Sequence, residues 1–201
     1  TFESFEYNAL NLTTSKTDKR GNKELYYYDN AGRLYSVDTP FDGTDYSKVH
    51  YLYDRNGNVS IKSVRSGYIS DRETNNFIQY FYDSMNRLIY SVTLPQGVQR
   101  IYTVYTYDSI GNPISVKTGA ESSGLANIDN ATGGVITTYT YDALGRKTGE
   151  TAPDGSTVSY EYDLQGRLTK KTVGNNVPET YTYDVFDNLI SKQRDGESIN
   201  Y

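Results

Sequence analysis

The stretch Tyr160-Glu161-Tyr162-Asp163-Leu164-Gln165-Gly166-Arg167-Leu168 decides the fold. Asp is favoured at the first position of a type I turn, where its carboxylate caps the amides that follow. Gly is favoured at the fourth, where the chain enters the left-handed region. A type I turn followed by a left-handed residue closes a hairpin with a bulge. So Tyr-x-Tyr ends one strand, Asp-x-x-Gly turns the chain, and Arg-Leu opens the next strand.

The pattern recurs along the chain, as a search for internal repeats should reveal first. Tyr-x-Tyr-Asp occurs seven times, ending at Asp29, Asp54, Asp83, Asp108, Asp142, Asp163 and Asp184. The intervals are 25, 29, 25, 34, 21 and 21 residues, so the last two are the bare unit and the others carry insertions. Three residues after each Asp stand Gly32, Gly57, Asn86, Gly111, Gly145, Gly166 and Asp187. Asn and Asp are the next most tolerant residues of a left-handed backbone, so all seven should have positive φ. Arg or Asn follows in every unit, and then Leu34, Val59, Leu88, Pro113, Lys147, Leu168 and Leu189. Pro113 and Lys147 depart from the aliphatic rule. Tyr7-Asn8-Ala9-Leu10 reads as a worn eighth copy, with no tyrosine two before Tyr7.

The turn sets the register. Tyr28 should face Leu34, Tyr53 Val59, Tyr82 Leu88, Tyr162 Leu168 and Tyr183 Leu189. Alternation then places both tyrosines of each unit on one face of the sheet. Such aromatic–aliphatic pairs contribute about 0.2–1 kcal/mol each. The residue between the tyrosines faces the other way and reads Tyr27, Leu52, Phe81, Thr106, Thr140, Glu161, Thr182. This predicts an alternate face that is partly covered in the N-terminal half and wet in the C-terminal half. Tyr141, Tyr162 and Tyr183 should be more buried than Thr140, Glu161 and Thr182.

Pro40-Phe41-Asp42-Gly43, Pro95-Gln96-Gly97, Pro153-Asp154-Gly155 and Gly174-Asn175-Asn176 mark the return turns. Lys117 to Gly134 reads as an inserted loop and Arg65 to Asn76 as a second insertion. No segment has a credible helical apolar stripe. The fold class is therefore all-β: one continuous antiparallel twisted sheet of hairpins, about 14 strands or more by hairpin counting. Residues 1–201 read as a single array, with the seven units over about 26–193.

Composition bounds the function. The chain has 201 residues, 36% hydrophobic, with a net charge of −5. Mean hydropathy is −0.70 and no apolar run is long enough for a membrane helix. A net negative chain of mixed signs argues against nucleic acid as a partner and against anionic membrane surfaces. Cysteine is absent, which removes disulfides, thiolate metal sites and cysteine nucleophiles. Tyrosine is the anomaly: 22 Tyr against six Phe and no Trp. Choosing Tyr over Phe implies that the hydroxyl finds a polar partner.

No catalytic, cofactor-binding or metal residues are expected. Turn capping accounts for the repeated aspartates. Asp54-Arg-Asn-Gly-Asn58 faintly resembles the start of a calcium loop, but Arg65 stands where a bidentate Glu is required. His50 is the only histidine and no Gly-x-Ser-x-Gly elbow occurs, so it reads as a sheet residue. The Arg and Asn after each turn read as hairpin-end partners of the Asp. Asn11, Asn58 and Asn130 begin glycosylation patterns that matter only in a eukaryotic secretory context. The tyrosine rows are either the packing surface of the sheet or a stacking surface for sugar rings.

Tyr28-Asp-Asn-Ala-Gly-Arg-Leu34 and Tyr162-Asp-Leu-Gln-Gly-Arg-Leu168, the latter after Pro153-Asp-Gly155, resemble the Rhs or YD-repeat family. The resemblance runs from about Tyr26 to Gln193. It implies a long antiparallel sheet that spirals into a hollow shell. Family members include bacterial Rhs proteins, cocoon-forming subunits of insecticidal Tc toxins, wall-associated polymorphic toxins and animal teneurins. In the toxins the shell encloses a C-terminal effector. By this resemblance the chain is expected to be a structural wall segment of a secreted or surface bacterial protein, not an enzyme. Its partners would be the remaining repeats and the enclosed effector. The alternative is an extracellular binding or adhesion module with a glycan as partner. Seven units are few for such a shell, and the chain begins with Thr1, so a fragment of a larger protein is expected.

Overall fold

The computed structural model describes residues 2–40, 46–65, 76–94, 100–122 and 131–201. The return turns expected at 41–43 and 95–97, the inserted residues 66–75 and 123–130, and Asn130 lie outside the described residues. Seventeen strands, all of one antiparallel sheet, occupy the rest, with no helix among the described residues.

The chain divides into two compact units. The first holds β1 (Ser4–Tyr7), β2 (Thr13–Thr17), β3 (Lys23–Tyr28), β4 (Leu34–Pro40), β5 (Tyr46–Tyr53), β6 (Val59–Arg65), β7 (Asn76–Tyr82) and β8 (Leu88–Leu94). The division runs through β9 (Arg100–Tyr107), β10 (Pro113–Ser122) and β11 (Thr132–Tyr141). The second continues with β12 (Lys147–Thr151), β13 (Thr157–Tyr162), β14 (Leu168–Val173), β15 (Glu179–Tyr183), β16 (Leu189–Arg194) and β17 (Glu197–Asn200).

Within each unit the strands pair with their neighbours in sequence. The five tyrosine–aliphatic pairs form as expected: Tyr28 with Leu34, Tyr53 with Val59, Tyr82 with Leu88, Tyr162 with Leu168 and Tyr183 with Leu189. Tyr141 pairs with Lys147 in the same way. One step further from each turn, the register differs from a plain alternation. Tyr27 faces Ser36 and not Tyr35, and the same shift recurs at Leu52, Phe81, Thr140, Glu161 and Thr182. Each hairpin thus carries an extra residue just after the aliphatic position, and a bulge of that kind adds local twist.

All seven turns have the expected left-handed residue, from Asn86 at φ 61° to Gly111 at φ 99°. The worn copy is a true one. Asn11 has φ 60°, the Asn8 amide donates to the Leu12 carbonyl, and Tyr7 faces Thr13. Two turns of this pattern also occur at the return end. Asp18-Lys19-Arg20-Gly21-Asn22 repeats the bonds and Gly21 has φ 90°, while Ala152-Pro153-Asp154-Gly155-Ser156 closes β12 to β13. Between β16 and β17 the chain reverses in two left-handed residues, Asp195 and Gly196, the Asp-Gly pair that a twisted hairpin favours.

One sequence expectation is corrected. Lys117 to Gly134 is not a loop at its flanks: β10 reaches Ser122 and β11 starts at Thr132. Glycines disguised these strands. Gly119, Gly133 and Gly134 all have positive φ, and a Cβ on Gly134 would lie 2.6 Å from the Thr118 carbonyl oxygen. A bulky residue is barred there by contact as well as by conformation.

The sheet has little interior of its own. The buried apolar side chains among the described residues are Val92 and Tyr102 in the first unit and Ala120 in the second. Phe81 stacks on Tyr90 with ring centroids 4.2 Å apart, and Tyr90 lies 6.3 Å from Tyr102. Tyr27 and Leu52, expected to be partly covered, are exposed at 38% and 58%. Thr106, Thr140, Glu161 and Thr182 are exposed as expected, while Tyr141, Tyr162 and Tyr183 are half-buried.

Gly166, at φ 89°, tests the turn. Gly166→Val should destabilise the chain by about 1–2 kcal/mol from the left-handed penalty, read as a shifted urea midpoint with unchanged slope.

Candidate functional site: the repeated turn and its latch

Each turn is closed by one carboxylate. In the first unit the Asp29 amide donates to the Arg33 carbonyl and the Gly32 amide to the Asp29 carbonyl, both at 2.9 Å. Oδ1 of Asp29 accepts from the amides of Ala31 and Arg33, and Oδ2 accepts from Arg33 Nε at 2.8 Å. The same three side-chain acceptances recur at Asp54, Asp83, Asp108, Asp142, Asp163 and Asp184. Arg and Asn substitute for each other after the turn because both present an N–H to Oδ2. The Arg33 amide, followed by its side chain, holds the Asp29 carboxyl below its ordinary 3.8. For Asp54 the Asn58 side chain is the largest cause.

The tyrosine hydroxyls supply the bond that joins one hairpin to the one before. Tyr28 donates to the Thr13 carbonyl, Tyr53 to Leu34 and Tyr82 to Val59 in the first unit. In the second, Tyr141 donates to Pro113, Tyr162 to Lys147 and Tyr183 to Leu168, at 2.8 to 2.9 Å. The acceptor is always the residue two after the left-handed position, including Thr13 after Asn11 of the worn turn. Pro113 and Lys147 therefore do the same work as Leu, because the carbonyl is what is used. Burial pushes the Tyr53, Tyr82 and Tyr141 hydroxyls above their ordinary value.

Arginine closes over the same rings. The guanidinium carbon of Arg33 lies 4.5 Å from the Tyr53 centroid, and those of Arg146 and Arg167 lie 5.0 Å from Tyr162 and Tyr183. Nη1 of Arg146 donates to the Asp163 carbonyl and Nη1 of Arg167 to that of Asp184. The left-handed residue sits beside the post-turn residue of the preceding hairpin. A Cβ on Gly145 would meet Asn112 at 3.3 Å and one on Gly166 would meet Arg146 at 3.8 Å. Where that residue is not glycine, its oxygen is used. Asn86 Oδ1 accepts from Asn58, and Asp187 Oδ1 accepts from Arg167.

The first tyrosine of five units, Tyr26, Tyr51, Tyr139, Tyr160 and Tyr181, has charged neighbours. Lys147 lies 5.5 Å from the Tyr139 ring and 5.1 Å from Tyr160, and its ammonium meets Glu150 at 2.8 Å. Tyr26 donates to Glu24 and Tyr181 to Glu179, and burial with these carboxylates pushes both hydroxyls up to about 12.

The remaining sequence candidates fall elsewhere. Asp54 is fully engaged as a cap and offers no vacant calcium oxygen pair. His50 pairs with Ser36 across β4 and β5, but the Ser36 hydroxyl donates to Asp38, which is ion-paired with Lys48 at 2.9 Å. That wiring differs from nucleophile, base and carboxylate in series. Among the described residues, no three His, Asp or Glu side chains are placed to hold a metal, and no helix is long and apolar enough to cross a membrane. In a cleft lined by Glu179, Lys192, Arg194, Asp195, Glu197 and Ile199, the Glu179 carboxylate is ion-paired with Lys192 and Arg194 of the same lining.

Two measurements test this arrangement. Tyr162→Phe should lose about 0.5–1.5 kcal/mol in urea unfolding, whereas Tyr27→Phe on the exposed face should stay within about 0.5. A depressed carboxyl stabilises the fold above its ordinary pKa and stops doing so as pH falls through its folded value. The melting temperature should therefore be flat above about pH 5 and fall progressively below 3.8, the ordinary value of these aspartates. A flat profile down to about pH 2 would contradict the capping role.

A family model described as RHS Repeat matches residues 122–157 and 148–178. No curated protein matches. Among solved structures, the chain is similar to one described as a Photorhabdus luminescens Tc holotoxin pore with a TccC3 mutation. Identity is 21%, TM-score 0.64, and the match covers 98% of this chain and 10% of that one. A TcdB2-TccC3-Cdc42 structure matches with the same values. A TcdB2-TccC3-TEV structure matches at 17% identity and TM-score 0.57, over 97% of this chain and 11% of that one. The chain thus spans about a tenth of the length of the solved chains it matches. One hairpin is thus built repeatedly from Tyr-x-Tyr-Asp, and over residues 122–178 it is similar to the Rhs repeat.

Proposed function

We propose that this chain is a wall segment of an Rhs-type β-shell in a secreted or surface bacterial protein. Residues 1–201 are one array within that wall, and the wall encloses a toxin or effector. Its partners are the neighbouring repeats and that cargo. The role is containment: the segment holds no cofactor or metal and breaks no bonds. The hydroxyl-to-carbonyl latch carries this reading. It joins the hairpins of Tyr28, Tyr53, Tyr82, Tyr141, Tyr162 and Tyr183 to their predecessors at the same point, so a sheet of any length can be assembled from it. Similarity to Tc assemblies containing TccC3 supports the same reading.

The carbohydrate-binding alternative has less support. Sugar stacking needs free aromatic faces, and the rings of Tyr53, Tyr162 and Tyr183 are capped by arginine while their hydroxyls are already donated.

Limited proteolysis of the natural polypeptide that carries this array tests containment. The enclosed segment should survive protease in the native protein and be digested once Tyr162→Phe and Tyr183→Phe loosen the wall. An effector segment cut equally fast in both proteins would sink the proposal.

A further inference from the structure

The latch has a polarity. In all six described bonds the phenol belongs to the later hairpin and the carbonyl to the hairpin directly before it, 15 to 28 residues upstream. A tyrosine placed just before a turn is therefore a donor toward the N-terminal side. The worn copy has that tyrosine too. Tyr7 precedes the Asn8 turn and pairs with Thr13, as Tyr28 precedes the Asp29 turn and pairs with Leu34. Yet among the described residues the Tyr7 hydroxyl has no hydrogen-bond partner. Tyr7 is 56% exposed, whereas Tyr28, Tyr53 and Tyr82 are half-buried.

Tyr7 lies on an edge. β2 pairs along one side of β1, and all four residues of β1 are exposed. The strand is nonetheless fixed in place. On the face away from Tyr7, the Glu6 carboxylate accepts from the Ser15 hydroxyl and the Lys23 ammonium. On the Tyr7 face, Phe5 stands where the other units have their first tyrosine. It is 47% exposed, with the Lys16 ammonium 5.9 Å from its ring. The edge thus presents a formed strand, an aromatic pair and a phenol without its acceptor. The completed joints define what fits it. The partner is a hairpin with a main-chain carbonyl two residues after a left-handed residue and, where arginine follows its turn, a guanidinium to lie over the ring.

We propose that β1 is a docking edge for a hairpin that precedes it in the same polypeptide, and that Tyr7 donates to that hairpin's carbonyl two residues after the left-handed position. This rests on the wall-segment reading, which supplies the preceding repeats. The occupant is a hairpin of the same polypeptide and not a second copy, because every described joint links consecutive hairpins of one chain. A short connection also raises the effective concentration far above that of a separate molecule.

Hydrogen exchange read by mass spectrometry tests it, comparing the 201-residue chain with the natural polypeptide that carries the array. The segment Ser4–Tyr7 should exchange about tenfold or more slowly in the natural polypeptide. Tyr7→Phe should speed that exchange by roughly two- to tenfold in the natural polypeptide and leave the 201-residue chain unchanged. Tyr27→Phe, on the opposite face, should change neither. Equal exchange of the segment in the two proteins overturns the proposal, as does a Tyr7→Phe variant that exchanges like the parent in the natural polypeptide. Protection that appears in the 201-residue chain and grows with its concentration assigns the edge to a second copy and overturns it as well. Containment can fail separately: an effector cut equally fast by protease beside a protected β1 sinks containment and leaves this joint standing.

Discussion

The structure depends on a single bond repeated along the chain, from the phenol of one hairpin to a main-chain carbonyl of the hairpin before it. An isolated two-stranded hairpin is marginal in water, and the described residues contain only three buried apolar side chains. Stability must therefore come from lateral joining. Strand pairing supplies part of it, but ladders alone leave register open to slippage. The phenol fixes the register, because its reach from Tyr162 to the Lys147 carbonyl is met at one offset only. Arginine from the preceding turn then covers the same ring, so position and polarity are set together.

Much of this was legible in the residues. Asp-x-x-Gly names its turn through preferences at two positions, and the paired tyrosines name the strand before it. The left-handed residues, the tyrosine–aliphatic pairs and the Asp to Arg or Asn partnership all follow from that local chemistry. The excess of Tyr over Phe signalled a hydroxyl with a partner. Which partner could not be read, because a carbonyl leaves no trace in the side-chain record. For that reason Pro113 and Lys147 looked like defects in an aliphatic row, whereas they are ordinary acceptors. Asn86 and Asp187 likewise looked like mere tolerance of a left-handed backbone, and each holds a neighbouring hairpin.

Other features escaped for different reasons. The bulge after each aliphatic residue has no residue type of its own. The Asp18 turn was missed because no tyrosine precedes it, although Asp-Lys-Arg-Gly-Asn carried the signal. The flanks of the inserted segment were hidden by glycines that permit two backbones to approach closely. Exposure of Tyr27 and Leu52 reflects what lies over the sheet, which local periodicity does not encode.

A carbonyl acceptor has one more consequence. Every residue has one, so the upstream half of the joint places no demand on the sequence it is attached to. A hairpin copied and spliced into the array brings its own phenol and finds a ready acceptor in whichever hairpin now precedes it. Lengthening such a sheet requires no matching change in the neighbours. The sheet can grow by duplication, and its units are free to drift apart in side chains, as the partners Thr13, Leu34, Val59, Pro113, Lys147 and Leu168 have done.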